Sequence, residues 1–235
     1  MSRTLPGWAQ QLADVLPEVA GHQLSRFLPP EGAVVREAAV LMLFGPGSDG
    51  AGEVLLIERS RSLRSHPGQA AFPGGAVDAG DDGAVSAALR EAWEETGLDP
   101  AGVDVLGTLP RLYLPPSGFA VTPVVGWWRD PSPVGVADPR EVARVDRVRL
   151  PDLLDPANRS TVRHPSGFVG PAFSVGELFV WGFTAGLLSR LLQLAGLERP
   201  WDDGRVEDLP ERHLVGTPGF AAPDGEPDDD AEIEE

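Results

Sequence analysis

The residues best suited to do chemistry in this chain sit in one short stretch, Arg90-Glu91-Ala92-Trp93-Glu94-Glu95-Thr96-Gly97. On an α-helix Glu91 and Glu95 lie one turn apart on the same face, with Glu94 beside them. Three carboxylates so placed repel one another and weaken the helix unless a cation offsets them. Oxygen ligands without cysteine or clustered histidine suit a hard divalent ion, Mg²⁺ or Mn²⁺. Arg90 stands four residues before Glu94, a spacing at which a guanidinium holds a carboxylate in place. A second group lies upstream. Arg59, Arg61 and Arg64 fall within six residues, and Gly68, Gly74 and Gly75 follow them. Guanidinium forks match phosphate oxygens, and glycine permits close backbone approach to an anion. His66 can touch a phosphate too, although a loop histidine is more often incidental. Acidic helix faces are usually just solvated, and surface arginines are usually just paired. The Gly-Gly turn upstream and Gly97 behind the acids reverse that expectation.

These residues need elements to position them. Ala84 to Thr96 predicts a helix, with Val85, Ala88, Leu89, Ala92 and Trp93 on one docking stripe and Gly97 as its stop. Ala38–Phe44 and Glu53–Glu58 are short apolar runs across a Gly/Ser/Asp loop and predict a hairpin. Arg59 to Gly75 lacks periodicity and reads as a working loop. Val103–Leu112, Ala120–Trp128 and Val142–Leu150 predict strands, and Gly182–Leu197 a second helix. Before them, Leu5 to Leu28 predicts one or two short helices interrupted at Pro17 and stopped by Pro29-Pro30. Helices and strands in this order predict a mixed α/β fold with antiparallel pairing, not a doubly wound sheet.

Composition narrows the class. At 235 residues and 42% hydrophobic the chain can bury a substantial core without covalent staples. It has no cysteine, which excludes disulfides and thiolate chemistry, and no lysine, which excludes Schiff-base chemistry and a P-loop. The net charge of −17 opposes binding to nucleic acid or an anionic membrane. Eight acidic residues fall between Pro223 and Glu235, where disorder is expected from about Thr217. No run approaches the ~20 apolar residues of a membrane span, and the first residues lack a signal-peptide core, so a cytoplasmic protein is expected.

The segment from Gly75 to Leu98 resembles the Nudix box, Gly-x5-Glu-x7-Arg-Glu-U-x-Glu-Glu-x-Gly-U, where U is aliphatic. Gly75, Arg90-Glu91, Glu94-Glu95 and Gly97-Leu98 take its positions. Asp81 (or Asp82) stands where the box has its first Glu, and eight residues instead of seven separate Asp81 from Arg90. Leu55-Leu56-Ile57-Glu58-Arg59-Ser60, Arg64, Gly68 and Phe72-Pro73-Gly74-Gly75 resemble the signature that precedes the box in coenzyme A diphosphatases, with Ile57 in place of Thr. Ser117-Gly118-Phe119, Val121–Gly126 and Trp181-Gly182-x-Thr184-Ala185 are similar to that group as well.

The resemblance implies an α/β/α sandwich around a mixed sheet, with the box as loop–helix–loop. It implies a Nudix domain over residues 35–200, between an N-terminal helical extension (1–34) and a C-terminal extension with the acidic tail (201–235). It further implies hydrolysis of a diphosphate linkage. Glu91, Glu94 and Glu95 would hold Mg²⁺ or Mn²⁺; Arg90, Glu94 and Glu95 would serve catalysis. Arg59, Arg64, Gly74 and Gly75 would meet the substrate. Arg90 would orient a helix glutamate, and the general base would be a box glutamate such as Glu94 or a loop glutamate such as Glu141. Coenzyme A or a thioester of it is the expected substrate, with ADP-ribose or a dinucleotide as the alternative. A silent Nudix-fold binding module is the rival of another class, opposed by the intact glutamates. A small-molecule nucleotide partner is expected, and a homodimer is compatible with the N-terminal helices.

Overall fold

The protein's structure is a computed structural model and describes residues 5–25, 27–29, 32, 35–63, 65–115 and 117–214. Helix α1 (Gly7–Val15) leads through a 3-10 turn at Leu16–Glu18 to the one-turn helix α2 (Gly21–Leu24). Strands β1 (Arg36–Gly45), β2 (Glu53–Arg59), β3 (Ala70–Ala71) and β4 (Gly74–Ala76) precede helix α3 (Gly83–Thr96). Then come β5 (Val103–Thr108), β6 (Leu112–Leu114), β7 (Phe119–Trp128), β8 (Val142–Arg149) and the short helix α4 (Leu150–Leu153). Strands β9 (Arg159–Arg163), β10 (Val169–Val175) and β11 (Leu178–Val180), helix α5 (Gly182–Leu194) and strand β12 (Val206–Asp208) complete the order.

From Ala38 to Phe44 strand β1 is apolar because both of its faces are covered. Ala39, Leu41 and Leu43 pack with Leu55 and Trp128 against Ala87, Ala88 and Ala92 of α3. Met42 and Phe44 point the other way, into a cluster with Leu12 and Leu16 of the N-terminal segment and Leu187, Leu188 and Leu191 of α5. That is the expected three-layer α/β arrangement. The main sheet is mixed: β1 and β7 run parallel in register from Arg36↔Phe119 to Phe44↔Trp127. The predicted β1–β2 hairpin pairs only at Phe44↔Val54 and Gly45↔Glu53, after which β2 diverges and pairs with β8. Strand β4 fills the opening, pairing antiparallel with Ala38–Val40 of β1.

Several expectations need correction. The segment 59–75 is not only loop, since β3 and β4 lie within it. Val103–Leu112 is two strands, broken at Leu109-Pro110 because proline cannot donate a ladder bond. Pro123 nonetheless sits inside β7. Its carbonyl accepts from Leu109 N–H at 2.9 Å, on an edge where neither β5 nor β6 pairs with it, so the missing N–H leaves no ladder bond unmade. Trp93 does not dock α3; it is 55% exposed, and three alanines make the contact instead. Helix α5 ends at Leu194, not Leu197.

A second sheet, ordered β11-β10-β9-β12, forms from segments whose sequence predicts no strand. Its fourth strand comes from beyond residue 200 and pairs parallel with Thr161–Arg163. The N-terminal helices pack on the body, with Trp8 edge-on to Phe44 and Trp127 at 6.5 and 5.7 Å. Trp127 and Trp128 are core residues. The tail expected to be disordered from about Thr217 lies outside the described residues. Among the described residues no helix is long and apolar enough to cross a membrane.

Candidate functional site

The site forms where α3 crosses the start of β4. Gly74 donates its N–H to Glu95 Oε2 at 3.0 Å. A Cβ on Gly74 would lie 2.3 Å from the Ala39 carbonyl oxygen, so only glycine fits between β1 and α3. A Cβ on Gly75 would lie 2.4 Å from Glu91 Oε1. The close approach at Gly75 is thus made by the protein's own Glu91 carboxylate and that at Gly74 by the β1 backbone, while Glu95 meets Gly74 through its N–H. The helix closes with Gly97 in the left-handed region (φ 71°), its N–H bonded to the Trp93 carbonyl.

Arg90 ties this arrangement together with five hydrogen bonds. Nε and Nη2 donate to the two oxygens of Asp81 at 3.0 Å each, and Nη2 donates to the Ala76 carbonyl at 3.0 Å. Nη1 donates to Glu91 Oε1 at 3.0 Å and to Glu94 Oε2 at 3.1 Å. Asp81 also accepts from Asp78 N–H at 2.8 Å. Arg90, followed by that N–H, holds the Asp81 carboxyl below its ordinary value. The residue that departs from the Nudix box therefore anchors the loop before α3 to the arginine that orients two glutamates.

Burial decides the electrostatics. Glu95 is 2% exposed. Desolvation, with repulsion from Glu91 and Glu141, pushes its carboxyl up to about 8, against Gly74 N–H and Arg59. Glu91 is raised as well, first by burial and then by Glu94 and Glu141, with Arg90 opposing. Glu94 is different: exposed on the rim, it lines an open groove with Trp93, Asp138, Arg140 and Glu141. Glu141 reaches the site because the 129–141 loop hangs on α3. Gly135 and Ala137 donate N–H groups to the carbonyls of Thr96 and Glu95 at 3.0 and 3.1 Å, and Ser60 N–H bonds the Glu141 carbonyl at 2.7 Å.

Arg59, at the end of β2, is the positive charge facing Glu95. Among the described residues it has no ion pair, and its Nε is buried without a hydrogen-bond partner. His66 lies near it, taking a non-glycine positive φ of 56° with Nδ1 3.0 Å from Gln69 Oε1. Burial, then Arg59, pulls the His66 imidazole down, against the Gln69 hydrogen bond. Arg61 does not join the site, and Arg64 lies outside the described residues. Sequence spacing alone does not tie Glu141 or Asp81 to the helix acids; Glu141 is distant in sequence, and the Asp81–Arg90 pair shows only once the loop is folded.

Comparison with known proteins identifies the family. A family model described as the NUDIX domain matches residues 30–165. A Citrobacter koseri protein named "Uncharacterized Nudix hydrolase NudL" is 37% identical over 207 residues, covering 83% of this chain and 97% of the relative. Its Escherichia coli K12 namesake is 39% identical over 152 residues, 62% of this chain and 76% of that one. Among solved structures, the M. smegmatis Nudix hydrolase RenU aligns with TM-score 0.49 at 23% identity, over 71% of this chain and 89% of that one. With a family match across more than half its length and a relative matched almost end to end, the chain belongs to the Nudix hydrolase family, enzymes that act on pyrophosphate bonds.

Proposed function

We propose that the protein hydrolyses the diphosphate linkage of coenzyme A or an acyl-coenzyme A, giving 3′,5′-ADP and (acyl-)4′-phosphopantetheine. One observation carries the chemistry: Glu91 and Glu95 held beside Gly74-Gly75 with Arg59, which has no ion pair among the described residues, against them. The likeness of residues 55–75 to the coenzyme A diphosphatase signature supports coenzyme A as the substrate. The catalytic domain on this reading is residues 35–200.

The donor set fits a hard dication. It is all oxygen, and the raised carboxyls of Glu91 and Glu95 are the condition a bound cation relieves. Among the described residues no three acidic or histidine side chains are placed to hold a metal ion by themselves. Glu91 and Glu95, with Glu94 from the rim, would therefore hold the ion beside water and substrate oxygens, as is usual for Mg²⁺. Bound there, Mg²⁺ or Mn²⁺ supplies Lewis acidity to the diphosphate and lowers the pKa of an attacking water. Arg90 fixes the rotamers of Glu91 and Glu94 through its bonds to both. Arg59 donates to a phosphate oxygen as negative charge develops on it. Glu141 takes the proton of the water that attacks phosphorus while the P–O–P bond breaks, and Glu94 is the second candidate for that role.

The test is product analysis after incubation with coenzyme A and Mg²⁺ or Mn²⁺, with ADP-ribose in parallel and Glu95→Gln as control. Formation of 3′,5′-ADP, lost in the variant, is expected. Turnover of ADP-ribose alone would keep the chemistry and overturn the substrate. No turnover of either, with no metal bound by the wild type, would favour the silent module.

A further inference from the structure

Beyond the residues matched by the family model, the chain returns to the loop that carries Arg59. Arg61, two residues further on and at most about 7 Å away between Cα atoms, lines a separate cleft of about 270 Å³ with Phe179, Arg212 and His213. Arg212 and His213 come from the 3-10 turn at Glu211–His213, which Leu209 fixes by its buried side chain and by an N–H bond to the Arg163 carbonyl at 2.9 Å.

Two features suit the cleft to an anion. First, its arginines are not consumed by acids. Glu58 and Glu177 also line it, but Arg144 engages both, at 3.4 and 3.5 Å. Arg61 makes only a 3.9 Å contact to Glu58 and is 83% exposed. Arg212 has no ion pair among the described residues; its Nε donates to His213 Nε2 at 3.1 Å, a bond that does not use its two terminal nitrogens. Second, the cleft is built. The His213 ring stacks on Phe179 at 4.9 Å and 27° between planes, which seats the Arg212 backbone against the β10–β11 hairpin. Two arginines around a concavity, one with a single 3.9 Å acid contact and one with no ion pair among the described residues, run against the charge of a protein at −17.

We infer that this cleft binds a phosphomonoester group of the substrate, remote from the scissile diphosphate: in coenzyme A, its 3′-phosphate. The inference rests on the coenzyme A reading and gives the C-terminal extension a part in substrate selection. Guanidinium donors at two points around a dianion supply the charge-assisted bonds that recognise it.

Steady-state kinetics on coenzyme A and 3′-dephospho-coenzyme A test it. Arg61→Gln and Arg212→Gln are each expected to raise KM for coenzyme A about ten-fold, with kcat kept, and to leave KM for the dephospho compound within about two-fold. Arg205→Gln, which removes a charge elsewhere on the same extension, is expected to change neither. Equal effects on the two compounds, or none, would overturn the inference. If the wild type cleaves neither compound, the substrate reading fails separately, and calorimetric titration decides the cleft. Tighter binding of 3′,5′-ADP than of 5′-AMP, abolished in Arg212→Gln, supports it; equal binding sinks it. Displacement of 3′,5′-ADP by inorganic phosphate alone at equal concentration would show a free-phosphate site instead and overturn the substrate assignment.

Discussion

Glu95 is the residue on which burial and function conflict most. Its carboxyl rises from 4.5 to about 8 in the folded chain, so the folded state binds its proton more tightly than the unfolded state. Its contribution is favourable below about pH 4.5 and is lost as pH rises toward 8, a swing on the order of 5 kcal/mol. Without added metal, Glu95→Gln is therefore expected to be more stable than wild type at pH 8 and to lose that advantage at pH 5, read by urea denaturation at both values. The same variant should lower diphosphate hydrolysis at least a hundred-fold; wild-type activity in it would remove Glu95 from the site. Gly75 is the complementary case. Since a methyl there would overlap the Glu91 carboxylate, Gly75→Ala is expected to cut kcat about ten-fold or more, with the far-ultraviolet spectrum unchanged. A variant with normal kcat would show that Glu91 can work from another rotamer.

At the scale of elements, two polar ties decide geometry. Asp81 holds Arg90, and Arg90 holds the loop to α3. Asp81→Ala is expected to lower kcat about ten- to a hundred-fold, with Asp81→Glu restoring part of it, as for partners that orient metal ligands. Equal losses in both variants would point to a merely structural role. Farther from the site, the buried Arg159 guanidinium lies over the Phe173 and Trp201 rings at 4.5 and 4.3 Å and pairs with Glu198 at 2.9 Å. Burial pulls Arg159 down and Glu198 holds it up. Glu198→Ala would strand a buried cation and is expected to cost about 3–5 kcal/mol in denaturant unfolding. A loss under 1 kcal/mol would mean that the rings alone suffice.

At the scale of the whole molecule, the N-terminal segment completes the core: Leu12, fully buried, packs with Met42, Phe44 and the leucines of α5. Leu12→Ala is expected to cost about 2–5 kcal/mol, read from the same unfolding curves; a negligible loss would make the segment dispensable. What the sequence by itself determined is local. Glutamates four residues apart, Arg90 before Glu94, Gly97 behind the helix and the unbroken apolar run of β1 follow from helical and strand periodicity, which needs no knowledge of distant residues. Only the tertiary structure decided that Trp93 faces outward, that Asp81 serves Arg90 and that Glu141 acts on Glu91 and Glu95. The same holds for residues past 200, which add a strand and the Arg212–His213 turn. Each of these depends on which surfaces meet across the chain, and short polar strands such as β9 and β12 carry too little periodicity to declare their partners before the core has formed.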